Sequence, residues 1–236
     1  MSLLDSSIGE VIKASFAPEI WKELLKPILE TLYMTALSSL IVLVFGVVLG
    51  ILLTVTNPDG LCPLKILYTA SGWLINVLRS LPQMVMIILM VPVARLFFGK
   101  SYGTNACTIA IAASCIPMYA RIVESSLLEI EKGKIEAARS VGSTNRQIVF
   151  KVIIPETLPS LIRGFTVAVI AVISMTALAG MFGAGGIGDI AVRFGYQRFQ
   201  HDRLFACVYV LVILVQLTQG IGNLISNRML KTRNLI

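Results

Sequence analysis

The sequence predicts an all-α, polytopic membrane protein, on three observations. Of its 236 residues, 56% are hydrophobic and 14% charged, against about 45–50% and about 25% in soluble domains. Too few polar side chains are left to cover a water-facing surface. Four stretches of 20 to 28 residues carry no Asp, Glu, Lys or Arg, the length a helix needs to cross a hydrocarbon core about 30 Å thick. Neither the 13 acidic residues nor the single histidine, His201, falls inside them. A secreted disulfide scaffold is excluded, because Cys62, Cys107, Cys115 and Cys207 follow no framework spacing. Disorder and collagen are excluded by composition.

Residues 1–30 form the first segment. Glu10, Glu19, Glu23 and Glu30 alternate there with Ile12, Phe16, Ile20, Trp21, Leu24 and Leu25. That mixture suits an amphipathic helix on the membrane surface, or one packed on its own protein. With Asp5 and no short apolar run before a cleavage site, it does not read as a signal peptide. Residues 31–58 give the first span, 101–120 the third, 164–188 the fourth and 204–227 the fifth. Residues 66–94 are apolar except for Arg79, which splits them into 13 and 15 uncharged residues. We read them as one long tilted helix; a re-entrant pair of half-helices is the rival. The transmembrane domain thus covers 31–227, with a loop at 121–163 and a tail at 228–236.

Orientation follows from basic residues, which favour the cytoplasm. Five spans put twelve Lys and Arg on the side of the 121–163 loop and the C-terminus, and eight on the other. The C-terminus is therefore expected in the cytoplasm and the N-terminus outside.

The apolar spans exclude several chemistries. Proton- and sodium-coupled carriers place ionisable groups at depth. Intramembrane proteolysis wants paired aspartates, a HExxH helix or a Ser–His arrangement. No GxxxxGK[ST] loop is present to cradle a nucleotide's phosphates. Work done uphill must therefore draw energy through a partner. The cysteines within spans, and Met84, Met86 and Met90, read as packing residues.

The 121–163 loop holds the informative pattern. Gly133 suits a helix C′ position closing the third span. Residues 135–141 are good helix formers, and Gly142 can end them in a left-handed conformation. Thr144 with Gln147 fits a capping box opening a further short helix, which Pro155 stops. Pro159 then suits the first turn of the fourth span. The paired alanines would let a partner approach the backbone, and Glu136 and Arg139 could fix its register.

Glu136-Ala137-Ala138, three residues, Gly142, nine residues and Val152-Ile153-Ile154-Pro155 resemble the EAA loop of ATP-binding-cassette importer permeases, E-A-A-x3-G-x9-I-x-L-P. Val152 for Ile and Ile154 for Leu are the departures. Over most of 28–229, Arg79-Ser80-Leu81-Pro82, Gly183-Ala184-Gly185-Gly186-Ile187-Gly188 and Gly195-Tyr196-Gln197-Arg198-Phe199 resemble the methionine-importer permeases in particular, a five-span branch. The glycine run, shared with osmoprotectant permeases, reads as a close-packed turn at the outer end of the fourth span.

The resemblance implies a type I importer transmembrane domain in the bacterial inner membrane and no catalysis by this chain. It implies as partners a second copy, two cytoplasmic ATPase subunits that bind ATP and Mg, an extracytoplasmic substrate-binding protein and lipid, but no nucleic acid. Ile135, Glu136, Ala137, Ala138, Arg139, Gly142 and Ser143 would couple to the ATPase. By analogy Ser174, Met175 and Thr176 would face the pathway. Methionine is the expected cargo; another small amino acid or an osmoprotectant is the alternative. An ATPase-independent channel or anchor subunit would explain the composition but not the spaced loop motif.

Overall fold

The computed structural model describes residues 7–100 and 102–232, with the side chain of Thr232 excepted. The outermost parts of the N-terminal segment (1–6) and of the tail (233–236), and Ser101 at the start of the third uncharged stretch, lie outside the described residues. All regular structure among the described residues is helical: α1 Ile8–Ala14, α2 Pro18–Thr56, α3 Lys65–Ser80, α4 Gln83–Phe98, α5 Thr104–Leu128, α6 Lys132–Ser140, α7 Asn145–Gln147, α8 Ile154–Gly180, α9 Gly186–Ile190 and α10 His201–Thr232. Two π-helical turns, Ile148–Ile153 and Ala191–Tyr196, precede α8 and α10. Four helical runs are long and apolar enough to cross a membrane: α2, α5, Asn145–Gly180 and α10. A fifth is added when α3 and α4 count as one span.

The fifth region is broken rather than one tilted helix. Leu81 (φ −73°, ψ 133°) and Pro82 (φ −55°, ψ 134°) are both extended. Proline fixes its own φ, disfavours the helical region for the residue before it and has no N–H to continue the ladder. At the other end, α4 closes on Gly99, whose φ is +69°.

Residues 18–30 are continuous with the first span, and α2 runs for 39 residues. At 1.5 Å per residue that is about 58 Å, well beyond the hydrocarbon core.

The chain packs as two units. The described residues of 1–40, 82–114 and 169–218 form one. There Ile20 and Leu24 of α2 bury against Ile187 of α9 and Ala206, Cys207 and Val210 of α10. Phe16 stacks on Tyr209 with ring centroids 5.2 Å apart, and Arg203 makes a two-pronged contact with Glu23, 3.1 Å on each branch. The amphipathic N-terminal segment is thus packed on its own protein.

The other unit comprises the described residues of 41–81, 115–168 and 219–236. Leu53, Ile75 and Ala120 make its small apolar cluster. Its helices approach through small residues, the membrane solution where apolar burial gives little drive. A Cβ on Gly50 would sit 2.4 Å from Val123, and one on Gly222 would sit 2.0 Å from the hydroxyl of Thr166. Ser226 donates to the carbonyl of Pro159 at 3.2 Å. On α10, whose residues up to 218 belong to the first unit and from 219 to the second, Val212, Ile213, Leu217 and Ile221 stay exposed on this chain, a surface suited to lipid or to another protein.

Candidate coupling loop and pathway residues

After α5 ends at Leu128, Glu131 caps α6 with extended backbone (φ −63°, ψ 128°). Gly133 therefore lies in the first turn of α6, not at a helix C′ position: the third span stops earlier and the next helix starts earlier than the sequence suggests. Nothing in α6 is buried. Ile135 and Ala138, three residues apart on one face, are half-buried, as is Ser143; Glu136, Ala137, Arg139 and Gly142 are exposed.

The far end of α6 is closed by its own backbone. Gly142 donates to the carbonyl of Arg139 at 2.9 Å, and Ser143 to that of Ala138 at 3.1 Å. These are the two bonds of a Schellman motif. They require the left-handed conformation that Gly142 adopts at φ +78°, which costs a residue with a Cβ about 1–2 kcal/mol.

The capping box forms as the spacing predicts. Thr144 N–H donates to Gln147 Oε1 at 2.8 Å and Gln147 N–H to Thr144 Oγ1 at 3.4 Å. The helix it opens does not stop at Pro155. It continues through the π-helical turn, whose Ile148, Val149 and Ile153 are buried, into α8. Proline removes the bond to the carbonyl four residues back, and the π-turn, bonding at a five-residue interval, relieves that demand just before Pro155. Pro159 accordingly lies inside α8, beyond its first turn.

Two long-range ties hold the loop. Lys134 pairs with Glu156 at the start of α8. Asn145 Nδ2 donates to the carbonyl of Leu61 at 3.1 Å and to Cys62 Sγ at 3.0 Å. Beside α6 lies a cavity of about 440 Å³ lined by Thr54, Leu61, Leu127, Ile135, Glu136 and Arg139 among others. The sequence did not signal Lys134, Asn145 or Glu156, because their partners lie 22 to 84 residues away.

Ile135 through Arg139, Gly142 and Ser143 are thus brought together on one short, exposed element. Ser174, Met175 and Thr176 are not alike in placement. Ser174 is exposed, its hydroxyl bonded to the carbonyl of Ile170 at 3.2 Å. Met175 and Thr176 are buried, at 4% and 1% exposure. The glycine run is a close-packed turn. Gly186 N–H donates to Glu30 Oε2 at 2.8 Å and Ile187 N–H to Thr31 Oγ1 at 2.9 Å.

Among the described residues no group of three or more His, Cys, Asp or Glu could hold a metal. What the loop offers is a short exposed helix, closed by its own backbone and tied to the start of α8 by the Lys134–Glu156 pair.

This is the form of a membrane permease subunit, and the chain belongs to the family described as binding-protein-dependent transport system inner membrane component, which it matches over residues 46–231. Among its relatives, a methionine import system permease protein (MetP) of Bacillus subtilis is 42% identical over 198 residues, covering 84% of this chain and 89% of that protein. A probable D-methionine transport system permease protein (MetI) of Vibrio cholerae is 37% identical over 199 residues, covering 84% and 88%. A chain of the MetNI methionine ABC transporter, solved in inward-facing conformations, superposes with a TM-score of 0.88 at 35% identity, covering 91% of this chain and 99% of that one.

Proposed function

We propose that this chain forms the translocation pathway of a methionine importer and couples it to ATP hydrolysed by a separate subunit. The observation that carries the reading is α6: a helix with no buried residue, fixed by a Schellman turn and a long-range ion pair, bearing the Glu136-Ala137-Ala138…Gly142 spacing. An exposed helix on a mobile loop would absorb a partner's motion, whereas a fixed one passes it to the spans. The methionine relatives support the cargo.

In this reading two copies of the chain surround the path. Two ATPase subunits bind ATP and Mg on the cytoplasmic side and grip Ile135–Arg139, Gly142 and Ser143. A substrate-binding protein delivers methionine from outside. ATP-driven closure of the ATPase pair carries α6 with it, and the spans exchange their opening. The C-terminus faces the cytoplasm and the N-terminus the outside. Ser174, on the exposed part of α8, is the pathway residue to test first.

The test is uptake of labelled methionine by proteoliposomes holding the chain with its ATPase and binding protein. ATP-dependent accumulation that unlabelled methionine suppresses supports the proposal. Accumulation suppressed only by another amino acid or an osmoprotectant overturns the cargo and keeps the class. Flux that ignores ATP overturns the class.

A further inference from the structure

Outside the α6 segment, one largely buried charged cluster is left without a role. Arg121 and Glu124 lie one turn apart near the end of α5, just past its uncharged stretch. Arg121 Nη1 donates to Glu124 Oε2 at 2.6 Å, and their side chains are 19% and 6% exposed. The guanidinium also reaches α3: Nη2 donates to the carbonyl of Gly72 at 3.0 Å and to Asn76 Oδ1 at 3.1 Å.

Gly72 and Asn76 are four apart, so one guanidinium nitrogen reads a single turn of α3. Gly72 eases the approach, since a Cβ there would stand 3.1 Å from Nη2 and push the guanidinium back by a few tenths of an ångström. Nε of Arg121 is buried with no partner. A cluster of this kind is a poor stabiliser: withdrawing two charges from water offsets much of their attraction, and an apolar pair of similar volume often serves as well. What it supplies is a fixed register between two helices. The adjacent apolar cluster of Leu53, Ile75 and Ala120 holds the same helices together without fixing that register, because dispersion contacts are not directional.

The cluster's place in the chain gives the register a use. Arg121 sits two turns before the end of α5 at Leu128, and α6 begins at Lys132. We infer that Arg121, held in position by Glu124, is a positioning residue that ties α3 to the end of α5, so that displacement of the coupling helix is passed to α3. The inference rests on the coupling-loop reading above. Glu124 orients the guanidinium, Gly72 and Asn76 receive it, and none of them needs to touch cargo or ATPase.

The experiment uses the complex of this chain with its ATPase and binding protein in proteoliposomes. It measures ATPase retention on purification, thermal midpoint, ATP hydrolysis and methionine taken up per ATP. The variants are Arg121→Met/Glu124→Leu, which keeps volume but removes both charges, Asn76→Leu, which leaves the ion pair and removes one acceptor on α3, and Arg121→Lys. The expected result is wild-type ATPase retention and midpoint in the first two, with uptake per ATP reduced about tenfold or more, and partial recovery in Arg121→Lys. If the double variant fails to fold, Asn76→Leu alone decides. Uptake per ATP at the wild-type level, or a loss that only follows a lowered midpoint, overturns the inference and leaves the cluster a packing feature. A wild-type chain that retains no ATPase overturns the coupling reading itself, and this inference with it.

Discussion

Two short segments bend the chain between long helices, and they are fixed in opposite ways. The α6 segment buries nothing and its ends are set locally: Glu131 opens it, the Schellman bonds to Ala138 and Arg139 close it, and the Thr144–Gln147 box starts the next helix, while the ties from Lys134 to Glu156 and from Asn145 to Leu61 fix where it is held. The glycine turn at 183–188 has buried Ala184, Gly186, Ile187 and Gly188 and is determined from a distance. Its amides are held by Glu30 and Thr31, 156 residues away, and Gly188 lies where a Cβ would stand 2.2 Å from the carbonyl of Ala177. An element that stays exposed has few neighbours to shape it, so its form must come largely from its own backbone. An element that is largely buried can be specified by its neighbours.

This contrast can be broken at graded points. The largest effect belongs to Gly188→Leu. The clash is with backbone, which cannot yield cheaply, and we expect a loss of about 3–5 kcal/mol, seen as absence of a monodisperse peak in detergent. Glu30→Ala comes next. It leaves the Gly186 amide without its carboxylate acceptor, and should cost about 1–3 kcal/mol, measured as a lowered thermal midpoint with the protein still folded.

Gly142→Ala should cost about 1–2 kcal/mol, but only locally. Hydrogen exchange should rise at Arg139–Ser143 while protection in α5 and α8 stays at the wild-type level. Thr144→Ala, which removes the cap, should cost about 0.5–2 kcal/mol with the same confinement. Equal loosening of the whole chain would show that the loop is not locally determined. The smallest stability effect is expected from Glu136→Gln, within about 0.5 kcal/mol, because its side chain is exposed; its consequence should appear in ATPase coupling instead.

The same contrast explains what the sequence made legible. Span positions, the Gly142 turn and the Thr144–Gln147 box depend on hydropathy and on residues within a few positions of one another. The break at Leu81-Pro82 is also written locally, but the apolar content on both sides of Arg79 favours a continuous span over it. Pro155 misled for a related reason: a proline normally ends a helix, and only the preceding π-turn lets this one pass. Gly133 misled because glycine is tolerated in a first turn as well as at a C-terminus. Glu124 lies past the apolar run of 101–120. That the helix continues with it, and buries it against Arg121, depends on α3 lying alongside. The Glu30 clasp and the Lys134–Glu156 tie have no sequence signature, since their partners are brought together only by folding.

The central claim is that α6 is the surface the ATPase grips, and site-directed cross-linking in native membranes tests it most directly. Cys62 is the one exposed cysteine among the described residues, so a Cys62→Ser background carrying Ala137→Cys places a reactive thiol on the exposed face of the coupling helix. We predict a cross-linked product containing this chain and an ATP-binding-cassette ATPase, lost when Gly142→Asp is added. Efficient labelling of Ala137→Cys by a small thiol reagent, with no ATPase product, would contradict the account.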